Sequence, residues 1–344
     1  MKKRWTELRE QNRNKRHADA SLAQRLRWKS WKRATREHND NLGADLYRPI
    51  KAHRSPVIFT APYLLSLVEA PDLSIKFYHD LQRFNKQRDV FVDLANVNKI
   101  TPDAIALLLS IVIRIGRVQG VQISGNYPNA SSATETIRES GFDQYLKSSL
   151  PTTGAPRGAI VKRDFLVDAK RAEGYQAQRL IDFAAKDGGG LLRLKAAYGH
   201  LLECMANTHE HAGRGSIGSE SWWASVFKDP ERQCDCFTFI DMGVGVFESI
   251  ELNLRLKLLN LVGAFRPNIL RDLLEGRIPS STKVAYRGRG LPSIYDSVVK
   301  SKTISRLMII TNDVYADVQG SRFVQLPHSL EGLLLYWEVP YGPS

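Results

Sequence analysis

The sequence predicts an α/β protein in three parts, a basic helical arm followed by two α/β segments. Three observations predict it. Ten of the thirteen net positive charges fall in residues 1–54, which hold 16 Lys and Arg against 6 Asp and Glu. From Pro56 to about Leu146, short β-branched runs alternate with stretches of helical spacing. Beyond Pro151 the order changes to helices, a hairpin, and strands interrupted by glycine turns. The boundaries read 1–54 for arm and linker, 55–150 for the second part and 156–344 for the third. At 43% hydrophobic and 25% charged, 344 residues can bury proper cores.

From Arg9 to about Arg36 the arm lacks Pro and Gly and is rich in helix formers. Trp28 and Trp31 fall at i, i+3, with Leu22 and Leu26 one turn back. Two readings stay open. The arm, residues 1–38, meets nucleic-acid phosphates without sequence preference, or its Trp and Leu stripe packs on the body or on a second subunit. Residues 39–55 read as a linker. No signal peptide and no run of 18 apolar residues is present, so no membrane span is expected. Cys204, Cys234 and Cys236 are too few and too clustered for a disulfide framework, which fits a reducing cytoplasm.

In the second part, Val57–Thr60 reads as a strand and Leu73 to Phe84 as a helix, with Ser74 near its start. Asp89–Leu94 is a second strand. A very apolar helix runs from Ile105 to Ile115, with Thr101 as N-cap, Pro102 at the first helical position and Asp103 in the first turn. Gly120–Ser124 is a third strand, and residues 131–140 form a helix stopped by Gly141. This order implies parallel pairing with helices over the sheet.

In the third part, residues 177–185 and 191–208 read as helices, and 222–227 and 234–241 as a hairpin around a Lys228–Gln233 turn. Glu203, Asn207 and His211 stand four apart, so a helix places them within one sector of ~80°. A carboxylate suits general-base work, and an amide oxygen suits a hard cation that keeps most of its waters. Phe237–Val246 ends in Asp241-x-Gly243-x-Gly245, and Arg287-Gly-Arg-Gly-Leu291 opens a helix. Glycines let the backbone approach an anion, and a helix N-terminus offers unpaired N–H groups. Leu307–Thr311, Arg322–Leu326 and Gly332–Pro340 read as closing strands around Asn312-Asp313 and Gly320. His209 and His211, about 200° apart on a helix, cannot both face one ion.

A Glu-x3-Asn helix, a strand ending in Asp-x-Gly-x-Gly, and Gly-x-Gly-Leu at a helix start, in that order, resemble the GHKL ATPase family, whose fold is also called Bergerat. The resemblance covers roughly residues 160–344. It implies ATP and Mg2+ as cofactors, with Glu203 as catalytic base, Asn207 as magnesium ligand and Asp241 reading the adenine amino group. It places Gly288, Arg289, Gly290 and Leu291 on the phosphates, His211, Gly243 and Gly245 among the nucleotide-binding residues, and a mobile lid between Gly245 and Gly288. Ser280, Ser281, Thr282, Lys283 and Arg287 would bring donors and charge to the phosphates. The family often has Thr after the last glycine, where this chain has Leu333. No helical phospho-His segment is evident, so a sensor histidine kinase is not expected.

The second part resembles a STAS domain, the fold of anti-sigma-factor antagonists, on Val90–Ala104, the apolar helix and Gly120–Gly125. In that family a Ser at the helix start is phosphorylated by a GHKL kinase. Here Asp103 stands there, and the choice is a fixed mimic of the phosphorylated state or a plain helix start, with the helix start preferred. Together the resemblances imply an ATP-driven switch or Mg-dependent ATPase that forms a homo-oligomer or meets a protein partner through the STAS-like part. A serine/threonine kinase of the anti-sigma type and a non-catalytic nucleotide-binding scaffold are the alternatives.

Overall fold

Parallel strands need long crossovers, and the first half of the fold is built on them. In this computed structural model, β1 (Val57–Thr60), β3 (Val90–Asp93) and β5 (Ile123–Gly125) pair in parallel in the order β1-β3-β5. α1 (Pro71–Gln82) links β1 to β3, and α2 (Pro102–Gln119) links β3 to β5. A two-stranded parallel ladder, β2 (Leu64–Leu65) with β4 (Lys99–Ile100), α3 (Ser131–Glu139) and a 3-10 turn at Phe142–Tyr145 complete it. The structure describes residues 55–84, 88–145, 156–162, 169–186, 190–211, 222–249, 265–278, 290–300 and 303–342. The basic arm, with Trp28 and Trp31, lies outside the described residues.

α2 begins as its sequence predicts, with Thr101 at the cap position and Pro102 opening the helix, and ends at Gly120 with φ +64°. The expected side-chain cap is not made: Thr101 forms no capping hydrogen bond. Asp103 instead turns inward. It is 1% exposed, and its Oδ2 accepts the Leu67 N–H at 2.9 Å. Burial raises its carboxyl above the usual range. That internal contact ties the turn after β2 to the start of α2.

The second half is an antiparallel sheet of order β6-β7-β8-β10-β9, formed by β6 (Gly158–Lys162), β7 (Trp222–Asp229), β8 (Cys234–Asp241), β9 (Arg306–Asp317) and β10 (Arg322–Pro340). The hairpin turn is shorter than expected, because β7 runs on to Asp229 and Gln233 takes φ +52° to close it. β9 continues through Asn312-Asp313, where the sequence suggests a break. Asn312 is held at φ +52°, and the β9/β10 register shifts between Gln325 and Leu330 and again before Leu333.

Alternation along these strands builds two cores. Trp222, Phe237, Phe239, Leu335 and Trp337 face α4 (Ala169–Ala185), α5 (Lys195–His211), α7 (Arg266–Leu274) and α8 (Gly290–Val299). Trp223, Cys236, Ile240, Met308, Ile310, Leu334 and Tyr336 face the other way and join the core of α1 and α2. α1 packs on β10, and α2 packs on β7 and β8. α2 therefore lies between two sheets, and every residue from Asp103 to Ile111 is buried. Each buried Leu or Ile there contributes about 1.5–3 kcal/mol. Residues 55–344 form one compact unit on this shared core.

Candidate functional site

α5 holds Glu203 and Asn207 one turn apart. Leu201, Cys204, Met205 and Thr208 are buried, Glu203 is half-buried and Asn207 is exposed. Burial raises the Glu203 carboxyl above its ordinary value, which brings it closer to a general base's working range. The backbone of His211 ends the helix, and its side chain lies outside the described residues. His200, one turn before Glu203, is 5% exposed, and its Nε2 is 2.8 Å from Ser297 Oγ on α8. The Ser297 hydroxyl donates to Ser293 O at 3.0 Å, so His200 Nε2 carries the proton of that contact. Burial without a counter-charge lowers the imidazole pKa to about 4, and His200 is neutral at pH 7. It is a fastener between helices.

β8 delivers Asp241 to the same end of α5. The Thr208 hydroxyl shares its proton between Cys204 O at 3.1 Å and Asp241 Oδ2 at 3.0 Å, and the Gly243 N–H donates to Oδ1 at 2.6 Å. Both carboxylate oxygens are thus oriented. The side chain folds over the loop so closely that a Cβ at Gly243 would lie 2.7 Å from Oδ1.

The loop after Asp241 is clamped by residues the sequence did not single out as functional. Thr311 Oγ1 accepts the Val246 N–H at 2.9 Å, opening the short α6 (Val246–Ser249), and it approaches Gly332 O at 3.2 Å. Asn312 Nδ2 donates to Val244 O at 3.0 Å. Gly245, at φ +84°, passes so close to Asn312 that any side chain would overlap the amide. Gly332, at φ +102°, faces the Asp241 carbonyl so tightly that a Cβ would overlap it. Arg266 of α7 reaches Asp313 Oδ1 at 2.7 Å and fixes the next element against β9. Leu333 is half-buried and pairs with both Asp241 and Thr311 in the sheet ladders.

α8 begins at Gly290 and packs on α5 and α7, with Leu291 half-buried against the helical core. The structure therefore joins α5, which bears Glu203 and Asn207, to the Asp241–Gly245 loop through Thr208, while α8 packs on α5 through the His200–Ser297 contact. Ser280, Ser281, Thr282, Lys283, Arg287, Gly288 and Arg289 lie outside the described residues, as does the Leu252–Leu259 stretch of the expected lid. Among the described residues no group of three His, Cys, Asp or Glu side chains could hold a metal ion, and no helix is long and apolar enough to cross a membrane.

The residue before Gly332 reaches the other half of the fold. The Glu331 N–H donates to Gln82 Oε1 at 2.9 Å, and Gln82 Nε2 donates to Glu331 O at 3.3 Å. Arg114 of α2 pairs with the Glu331 carboxylate at 3.2 Å, and His79 Nδ1 is 2.8 Å from Ser329 O. The irregular stretch of β10 between Gln325 and Leu333 thus touches Asp241 at one end, bonds α1 at Ser329 and Glu331, and meets α2 at the Arg114–Glu331 pair.

No family model and no curated protein matches this chain.

Proposed function

We propose that residues 195–342 form a Mg-dependent ATP-binding site of the Bergerat type, working as an ATPase or ATP-driven switch. The observation that carries this reading is the Asp241 carboxylate, oriented through both oxygens, at the foot of the helix that bears Glu203 and Asn207. A half-buried, oriented carboxylate has the acceptor chemistry that suits the exocyclic amino group of adenine. Asn207 presents its amide on the exposed side of α5, as a magnesium ion retaining its waters requires. Glu203, one turn earlier and with its proton affinity raised by burial, suits activation of a water. When bound, Mg-ATP would supply the labile phosphoanhydride. This chain's part is to seat adenine on Asp241, hold the metal through Asn207 and take a proton on Glu203. The N-terminus of α8, at Gly290, is suited to phosphate oxygens.

The β10 connection supports a switch. Movement of the Asp241 loop on nucleotide binding would press on Gly332, and Glu331 and Ser329 would pass that displacement to α1 and α2.

Calorimetry with Mg-ATP tests the reading. Asp241→Asn should weaken binding at least tenfold, and Asn207→Ala should remove its magnesium dependence. Unchanged affinity in both variants refutes the assignment. Glu203→Gln should keep binding and lower turnover by ~10²–10⁴-fold. Wild-type protein that binds without turnover, with Glu203→Gln indistinguishable from it, would make the protein a nucleotide-held scaffold.

A further inference from the structure

The first half of the fold contains a cleft of about 830 Å³ that none of the site chemistry above uses. It lies among α2, β3, β5, α3 and the 3-10 turn. Its volume falls in the range of small-ligand sites. Its walls are mainly aliphatic, among them Ile105, Leu108, Val112, Ile123 and Ile137.

Most of the polar lining groups are committed elsewhere. Asn126 Oδ1 accepts the Leu94 N–H at 2.6 Å, and its Nδ2 donates to Asp93 Oδ1 at 2.7 Å. The Tyr127 hydroxyl donates to Asp143 at 2.7 Å, and the Tyr145 hydroxyl donates to Ile160 O at 2.9 Å. The tyrosines therefore offer ring carbon to the cleft. Arg117 is different: it lines the cleft, is exposed at its rim, and has no ion-pair or hydrogen-bond partner among the described residues. Among the described residues no Asp, Glu or Lys lines the cleft.

A second observation concerns Gly116, which also lines it. Glycine inside a helix costs about 1 kcal/mol relative to alanine, so a steric reason is the usual explanation. None operates here. A Cβ at position 116 would meet Val121 O at 3.7 Å and Ile123 Cδ1 at 3.8 Å, which is ordinary contact. The glycine gives up helix stability and leaves space in the wall next to the Arg117 guanidinium. An aliphatic cleft of this size is costly to leave to water.

We propose that this cleft binds a small amphipathic carboxylate, its apolar body against Leu108, Val112 and Ile123 and its carboxylate paired with Arg117. The cleft belongs to the α1–α2 core rather than the core of α5 and α8, so the proposal stands or falls independently of ATP binding.

Calorimetry on the full-length protein, with decanoate and decanol below their micelle or solubility limits, tests it. Decanoate should bind the wild type. Arg117→Gln should weaken decanoate at least roughly tenfold, the scale of a lost charge-assisted bond, and leave decanol unchanged. Gly116→Leu, or Val112→Trp if that variant fails to fold, should remove binding of both probes, with a melting temperature no lower than that of the wild type. Failure of decanoate to bind the wild type overturns the proposal. So does an Arg117→Gln variant that binds decanoate as tightly as before, or a folded cleft-filling variant that still binds both probes.

Discussion

Acidification should loosen the junction between α5 and α8, and His200 sets the size of the effect. Its pKa is near 4 in the folded chain against 6.5 for the free side chain, and burial is the cause. A depressed folded pKa means that the unfolded chain binds the proton first. The stabilising contribution is whole above pH 6.5, declines as pH falls and is fully lost near pH 4. The gap of about 2.5 units corresponds to ~3 kcal/mol in total, of which ~2 kcal/mol is already lost at pH 5. Urea denaturation of the wild type and of His200→Gln at pH 8, 7, 6 and 5 isolates the term. The wild type should lose ~2 kcal/mol more than the variant between pH 8 and 5, the variant absorbing the shared contribution of the carboxylates. Parallel loss in the two proteins refutes the argument, as does a His200 resonance titrating near pH 6.5 by NMR.

Thr208→Val keeps the shape and removes the hydroxyl that orients Asp241. ATP affinity should fall about three- to tenfold by calorimetry, with melting nearly unchanged. Gly332→Ala forces a Cβ against the Asp241 carbonyl at φ +102°, and should cost about 1–3 kcal/mol in urea denaturation while weakening nucleotide binding. Deletion of residues 1–38 separates the two readings of the arm. Phosphate contact predicts loss of a DNA affinity whose log–log salt slope is about −0.9 per neutralised phosphate. Packing of Trp28 and Trp31 predicts a change in mass by light scattering.

The elements were legible where periodicity was clean. The three parallel strands, the Trp222–Asp241 hairpin and the polar face of α5 follow from spacing alone. The sharing of one core by the two halves was not read, although α2 carried the sign of it. A helix apolar on all sides has no solvent face, and Ala104–Ile111 could be satisfied only by a layer on each side. Asn312 reads as a break because Asn favours turns, yet β9 absorbs it as a left-handed residue whose amide reaches Val244. Thr208 and Thr311 carry no local pattern. Each matters through one hydrogen bond to a residue far along the chain, and composition does not encode such a bond.

The sharing of α1 and α2 between two sheets has a consequence for synthesis. As the chain leaves the ribosome, residues 55–145 are complete long before their second cover exists. That cover includes β10, the last strand of the described chain. Until residues 222–241 and 322–340 emerge, the side of α2 that packs on β7 and β8 and the side of α1 that packs on β10 have no cover. Such contacts join residues about 250 apart in sequence, as His79 and Ser329 do. Closures of that span come late and slowly, and they leave a nascent chain exposed to aggregation. A truncation ending near residue 150 should accordingly be held by chaperones or precipitate, whereas the full chain should fold once translation has ended.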